Sequence, residues 1–310
     1  MTSETTPGPI PETVAVRVAG RLGMQFFLNC LRIACDGRDL VDGLILMAIR
    51  HANLEHLDRE PELQARFGGF DEPPPAELLR PISVNALAGS LRMPFETVRR
   101  RTLALRTDGA CAVEERGLVL PPGHLGSDRD RMTVFSMAQQ VKVLLVGLSA
   151  LGVLRPSPGQ AAPDAAPPRP AARLAVAYCL RQLESLSRHI EDPTVGVLLI
   201  HIIRITTDHL DDTYTEFAET EDLVRDDLRR PVAASLLAER VGLPKETVRR
   251  HVALLLDKGW VARAPTGGLH LTREMLRASP WPEARRENVA NLNRLVAGLT
   301  AAAAVRTPHA

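Results

Sequence analysis

Two arginine pairs carry the chemistry most open to reading in this chain: Arg99 with Arg100, and Arg249 with Arg250. Each pair ends a run of the form Pro-x-Glu-Thr-Val-Arg-Arg, which begins once at Pro94 and again at Pro244. A guanidinium is a planar fork of donors that matches the O6 and N7 edge of guanine or two phosphate oxygens, and threonine reaches phosphate or a thymine methyl. On a helix of 3.6 residues per turn with Val98 at zero, Arg100 falls near the opposite pole, flanked by Glu96, Thr97 and Arg99. Val98, Thr102 and Leu105 share the other side, as do Val248, Val252 and Leu255 in the second copy. The pattern predicts two helices with an apolar inner face and a cationic outer face that fits the major groove of duplex DNA. The candidate contacts are Phe95, Glu96, Thr97, Arg99, Arg100 and Arg101, then Lys245, Glu246, Thr247, Arg249, Arg250 and His251. A solvated helix also forms Glu–Arg pairs at this spacing, but that gives no reason for the same outward residues to occur twice.

The elements that must position these helices are repeated too. Residues 80–109 realign with 230–259 at an offset of 150 without a gap, and twelve of the thirty positions are identical. In each copy a scaffold helix (84–91, 234–241) leads through a two-residue turn to the proline, which suits a first helical position because its missing N–H has no partner there. Gly109 and Gly259 end the outer helices. Strand, glycine turn and strand follow at 110–120 and 260–271, a small hairpin in each copy. Arg116 and Arg263 are candidates for phosphate or minor-groove contact there, although Glu114 and Glu115 should repel DNA from the first hairpin.

The duplication extends beyond the heads. Cys30-Leu31-Arg32 matches Cys179-Leu180-Arg181 at an offset of 149, residues 55–58 match 208–211 at 153, and Gly147-Leu148 matches Gly298-Leu299 at 151. One unit is expected over 12–154, with its paired helices at 82–109 and hairpin at 110–121. A second is expected over 173–305, with the same parts at 232–259 and 260–272. The proline- and alanine-rich stretch 155–172 reads as a semi-extended linker, because proline removes backbone donors and restricts its predecessor. Apolar second helices are expected at 44–57 and 195–210, and long closing helices at 132–154 and 283–305. The first and closing helices should pack unit against unit, making one chain a pseudo-symmetric pair, or else recruit a second chain as a homodimer. The expected fold is mainly α.

Composition narrows the class. The chain is 45% hydrophobic and 24% charged, a globular balance. Its formal charge of +1 hides segregation: residues 80–109 carry +4 and 230–259 carry +3, whereas 208–228 holds nine acids against Arg225. The first thirteen residues lack the basic start and apolar core of a secretory signal, and the apolar run 143–154 is too short to span a bilayer, so a cytoplasmic protein without membrane contact is expected. Four cysteines without a C-x-x-C pair argue against disulfide and zinc frameworks. Cys30, Cys111 and Cys179 read as small core residues. His201, Asp208, His209, Asp212 and Glu216 do not have the spacing of a metal site, and no cofactor loop, nucleophile elbow or paired carboxylates point to an enzyme.

The stretch from Leu237 through Pro244, Glu246-Thr247-Val248-Arg249-Arg250 and Leu254-Leu255 to Lys258-Gly259-Trp260-Val261 resembles the winged helix-turn-helix of bacterial transcription regulators of the MarR and GntR kind. The resemblance covers about fifty residues per copy. It implies sequence-specific binding of double-stranded DNA and a regulatory role; those regulators usually carry one such head per chain, so it says less about effector or assembly. The expected function is a transcription regulator whose two recognition helices read two similar half-sites. A replication or partition protein, and a winged-helix protein-interaction module without DNA binding, are the alternatives.

Overall fold

The computed structural model describes residues 12–150, 152–154, 159–210, 224, 226–278 and 280–305. Residues 1–11 of the segment read for a leader, most of the acidic stretch, Asp212 and Glu216 lie outside them. Among the described residues the chain is mainly helical, with two small antiparallel hairpins.

The first half runs α1 (Glu12–Cys35), α2 (Leu40–Leu54), the short α3 (Pro61–Arg66), α4 (Val84–Leu91), α5 (Phe95–Thr107), β1 (Ala112–Glu114), β2 (Gly117–Val119) and α6 (Asp128–Ala150). The second half repeats the plan as α7 (Pro168–Ser187), α8 (Pro193–Ile205), α9 (Ala234–Val241), α10 (Lys245–Asp257), β3 (Ala262–Arg263), β4 (Leu269–His270), the short α11 (Arg273–Arg277) and α12 (Trp281–Ala304). Both second helices start earlier than their apolar runs suggest, because Asp39 and Asp192 cap them. Each carboxylate accepts an amide of the first turn, from Asp42 at 2.9 Å and from Thr194 at 2.8 Å.

Helices α1, α6, α7 and α12 pack as a central four-helix bundle that joins the halves. Its symmetry corrects the sequence register. Cys30 and Cys179 do meet in the bundle, both fully buried, and burial with the neighbouring Cys179 thiol pushes the Cys30 thiol up. The structural mates, however, stand at an offset of 152 rather than 149. Gly147 of α6 packs on Leu22 as Gly298 of α12 packs on Leu174, and Phe26 meets its mate Tyr178 ring to ring at 5.3 Å. A slip of three residues is nearly one helical turn and leaves the same face inward, so three identical residues sufficed to mislead the alignment.

The mates reach across reciprocally, as a two-fold contact requires. Arg21 of α1 donates to the carbonyl of Thr207 beyond α8 at 3.0 Å, and Arg173 of α7 donates to Asp58 beyond α2 at 2.6 and 2.8 Å. The expected linker is also largely built into the fold. Pro163 is buried and α7 already begins at Pro168, where helical prolines are tolerated. Arg169, 2% exposed, anchors this start by donating to the Gly69 carbonyl at 2.9 Å and to Asp130 at 3.0 Å.

One large core runs through the bundle into the first head, including Leu87, Val98 and Leu105, while the second head closes its own core around Leu237, Val248 and Leu255. Among the described residues, α6 alone is long and apolar enough to cross a membrane, and its inner side, from Val134 to Leu148, is buried in the bundle.

Candidate nucleic-acid interface

In each half the paired helices are set by a turn in the left-handed region, at Arg92 (φ +51°) and at Gly242 (φ +68°). The amides of Met93 and Leu243 close it on the carbonyls of Ala88 and Ala238 at 3.0 and 3.2 Å. Ser83 caps α4 by accepting from the Ala86 amide at 3.1 Å, a cap that Ala233 cannot supply to α9. The apolar stripes fall as the spacing predicts: Val98, Thr102 and Leu105, and Val248, Val252 and Leu255, are each 4% exposed or less.

The hairpins are tied back to the residue that precedes the N-cap of each scaffold helix. Ile82 exchanges two backbone hydrogen bonds with Leu118 at 3.1 and 2.8 Å, and Val232 exchanges two with Leu269 at 2.8 Å each. This close approach requires glycine: a Cβ on Gly117 would lie 2.4 Å from the Ile82 carbonyl oxygen, and one on Gly268 would lie 3.0 Å from Pro231. Asn53, which the sequence did not single out, fastens the first hairpin to α2. Its amide donates to the Arg80 and Leu118 carbonyls at 2.7 and 3.2 Å, and its oxygen accepts from the Leu120 amide at 2.9 Å. Thr206 stands at its place in the second half, where only the backbone bond from Arg230 to the Thr206 carbonyl is kept.

The candidate contacts divide into three groups. Phe95, Glu96, Arg99 and Arg100 are exposed on α5, as are Lys245, Glu246, Arg249 and Arg250 on α10, with Thr97 and Thr247 half-buried beside them. Arg99 and Arg249 each form a two-pronged pair with the glutamate three residues earlier, at 2.7–2.8 Å and 2.6–2.8 Å. That hydrogen bonding holds the carboxyls of Glu96 and Glu246 below their ordinary value and raises both guanidinium groups. Arg100 and Arg250, on the outermost line of each helix, have no ion pair among the described residues.

Arg101 and His251 are the exception, and there the expected outward contact is not found. Arg101 turns inward to Asp39 and to Asp42, the latter at 3.3 Å, and His251 is 5% exposed with Nε2 3.0 Å from Asp192 and Nδ1 2.6 Å from the Thr247 carbonyl. Asp39 and Asp192 are the caps of the second helices. This position is therefore a latch that docks each outer helix on its second helix, buried at His251 and partly exposed at Arg101. On the same helical wheel this position falls about 60° from Val98, beside the inner face, and a capping carboxylate some sixty residues upstream draws it in.

Arg116 and Arg263 are exposed on their hairpins. Arg263 and Arg249 line one concavity of about 280 Å³ between α9, α10 and β4, so hairpin and helix offer a shared cationic surface. In the first half Glu114 and Glu115 stand exposed beside Arg116.

Each half also holds a small cavity between its second and closing helices and the other half's first helix, about 150 Å³ in the first half and 140 Å³ in the second. The first is lined by Arg50, His124 and Arg129 among apolar side chains, the second by Ile203, Leu276 and Trp281 together with Arg21 and Arg285. Comparison of the chain with family models, curated proteins and solved structures returns no match.

Proposed function

We propose that the protein is a double-stranded-DNA-binding transcription regulator of the winged helix-turn-helix kind, with α5 and α10 as recognition helices for two similar half-sites. It acts as a binding protein rather than an enzyme, and a cytoplasmic location goes with that role. The observation that carries this reading is the pair of uncommitted guanidinium groups, Arg100 and Arg250, at the same place on two helices whose inner faces are locked. Beside them, Arg99 and Arg249 are held in preset forks that can exchange glutamate for a phosphate or a guanine edge. Supporting it are the hairpins tied to each head and the cleft that Arg249 shares with Arg263. With Arg101 and His251 latched inward, the half-sites differ chiefly through Phe95 against Lys245.

The test is recovery of bound genomic fragments, followed by titration of a recovered duplex at several salt concentrations. Replacing Arg99 and Arg100 by alanine should weaken binding by ~1–3 kcal/mol for each base that a bidentate guanidinium no longer reads, and the Arg249, Arg250 counterpart should do the same at the other half-site. Affinity should fall steeply with salt as phosphate contacts release counterions. Binding that survives both double substitutions on every recovered duplex, or that ignores salt, would sink the assignment.

A further inference from the structure

The two closing helices present the same outer face with opposite character. On α12 that face carries Glu283, Arg286, Ala290, Arg294 and Ala297; on α6 the matched positions are Met132, Phe135, Gln139, Val143 and Val146. The four apolar side chains of α6 are 64%, 49%, 64% and 69% exposed, so the bundle makes little use of them, and the second half shows that this helix can be built without them. Their spacing is palindromic. Phe135 and Val143 lie four residues either side of Gln139, and Met132 and Val146 seven, which on a helix keeps all five on one stripe.

We propose that this stripe docks against the same stripe of a second copy of the chain, antiparallel, about a two-fold axis through Gln139. In that register Met132 meets Val146 of the second copy, Phe135 meets its Val143, and the two Gln139 amides face each other. A closed two-fold contact demands such self-complementarity, residue for residue. The charges agree with it. The exposed cations Arg131 and Lys142 fall opposite Gly147 and Ser136, so the pairing brings no like charges together. The contact is one helix face of 23 residues, near the small end of specific interfaces, so association depends on protein concentration. It is independent of the DNA reading, and a dimer would carry four heads.

Sedimentation of the full chain between ~1 and ~100 μM, a range that brackets a weak dissociation constant on the order of 10 μM, should show the average mass climbing from one chain toward two. Phe135→Glu with Val143→Glu should remain a single chain throughout, with unchanged helical content because both positions are exposed. Gln139→Cys should cross-link to itself on mild oxidation, while Ala290→Cys at the matched place of α12 should not. A wild-type chain that stays single over the whole range overturns the proposal, as does a dimer that survives both glutamates or equal cross-linking at the two positions. A single wild-type chain that binds phosphatidylglycerol vesicles through Phe135 would give the face to lipid and overturn it equally.

Discussion

The halves share a backbone plan but fasten their closing helices by opposite chemistry. In the first half Asp130, fully buried at the start of α6, lies 2.7 Å from Arg50 and 3.0 Å from Arg169 and accepts the Gly126 amide at 2.9 Å. Burial would raise its carboxyl, but the two guanidinium groups and the amide outweigh it and hold it below the ordinary range. In the second half Trp281 takes the place of Asp130 and Ile203 that of Arg50; the indole packs edge to face on Trp260 at 5.4 Å. The same junction can thus be closed by desolvated charges or by aromatic burial. A buried ion cluster is costly to assemble and still more costly to leave half made.

That contrast can be broken directly. Asp130→Asn leaves Arg50 and Arg169 without their counter-charge and is expected to cost ~3–5 kcal/mol in urea unfolding. Trp281→Phe, which keeps an aromatic in place but leaves part of the indole's space empty, should cost less, ~1–2 kcal/mol. If the two changes cost the same, the charges contribute nothing particular to the first junction.

The second helices differ in the same spirit. His201 on α8 replaces Ala48 of α2, and burial together with Arg240 lowers its pKa from 6.5 to about 4. Between those values the unfolded chain binds a proton that the folded chain refuses. Stability should therefore fall as pH drops from about 6.5 and level off below about 4, by ~3 kcal/mol at most. Urea midpoints at neutral pH and near the lower bound should show this loss in the wild type. His201→Ala, which restores the first half's residue, should remove that share of it; an unchanged pH profile would rule out the effect.

The smallest difference lies in the latch. Arg101 is a partly exposed ion pair, so Arg101→Ala should cost under ~1 kcal/mol. His251 is buried against its capping aspartate, so His251→Ala should cost ~1–2 kcal/mol. Thermal unfolding of the two variants compares them, and the reverse order would mean that burial does not govern the latch. A drop in DNA affinity larger than the drop in stability in either variant would return that position to the outer face.

Much of each head was legible in the linear chain because it obeys local rules. A 3.6-residue repeat sorts Val98 and Leu105 from Arg100, and proline and glycine mark where helices begin and end. A second copy at constant offset showed which outward residues are kept. Contacts between distant segments were not legible. Nothing local tells that Arg101 and His251 serve the caps of the second helices, that Arg169 pins a proline-rich stretch to Asp130, or that the first helices align one turn away from their most similar residues. A helix repeats its faces every turn, so pattern alone leaves its register and its partners open. Only packing, through a carboxylate that needs a counter-charge or a glycine that admits a leucine, chooses among them.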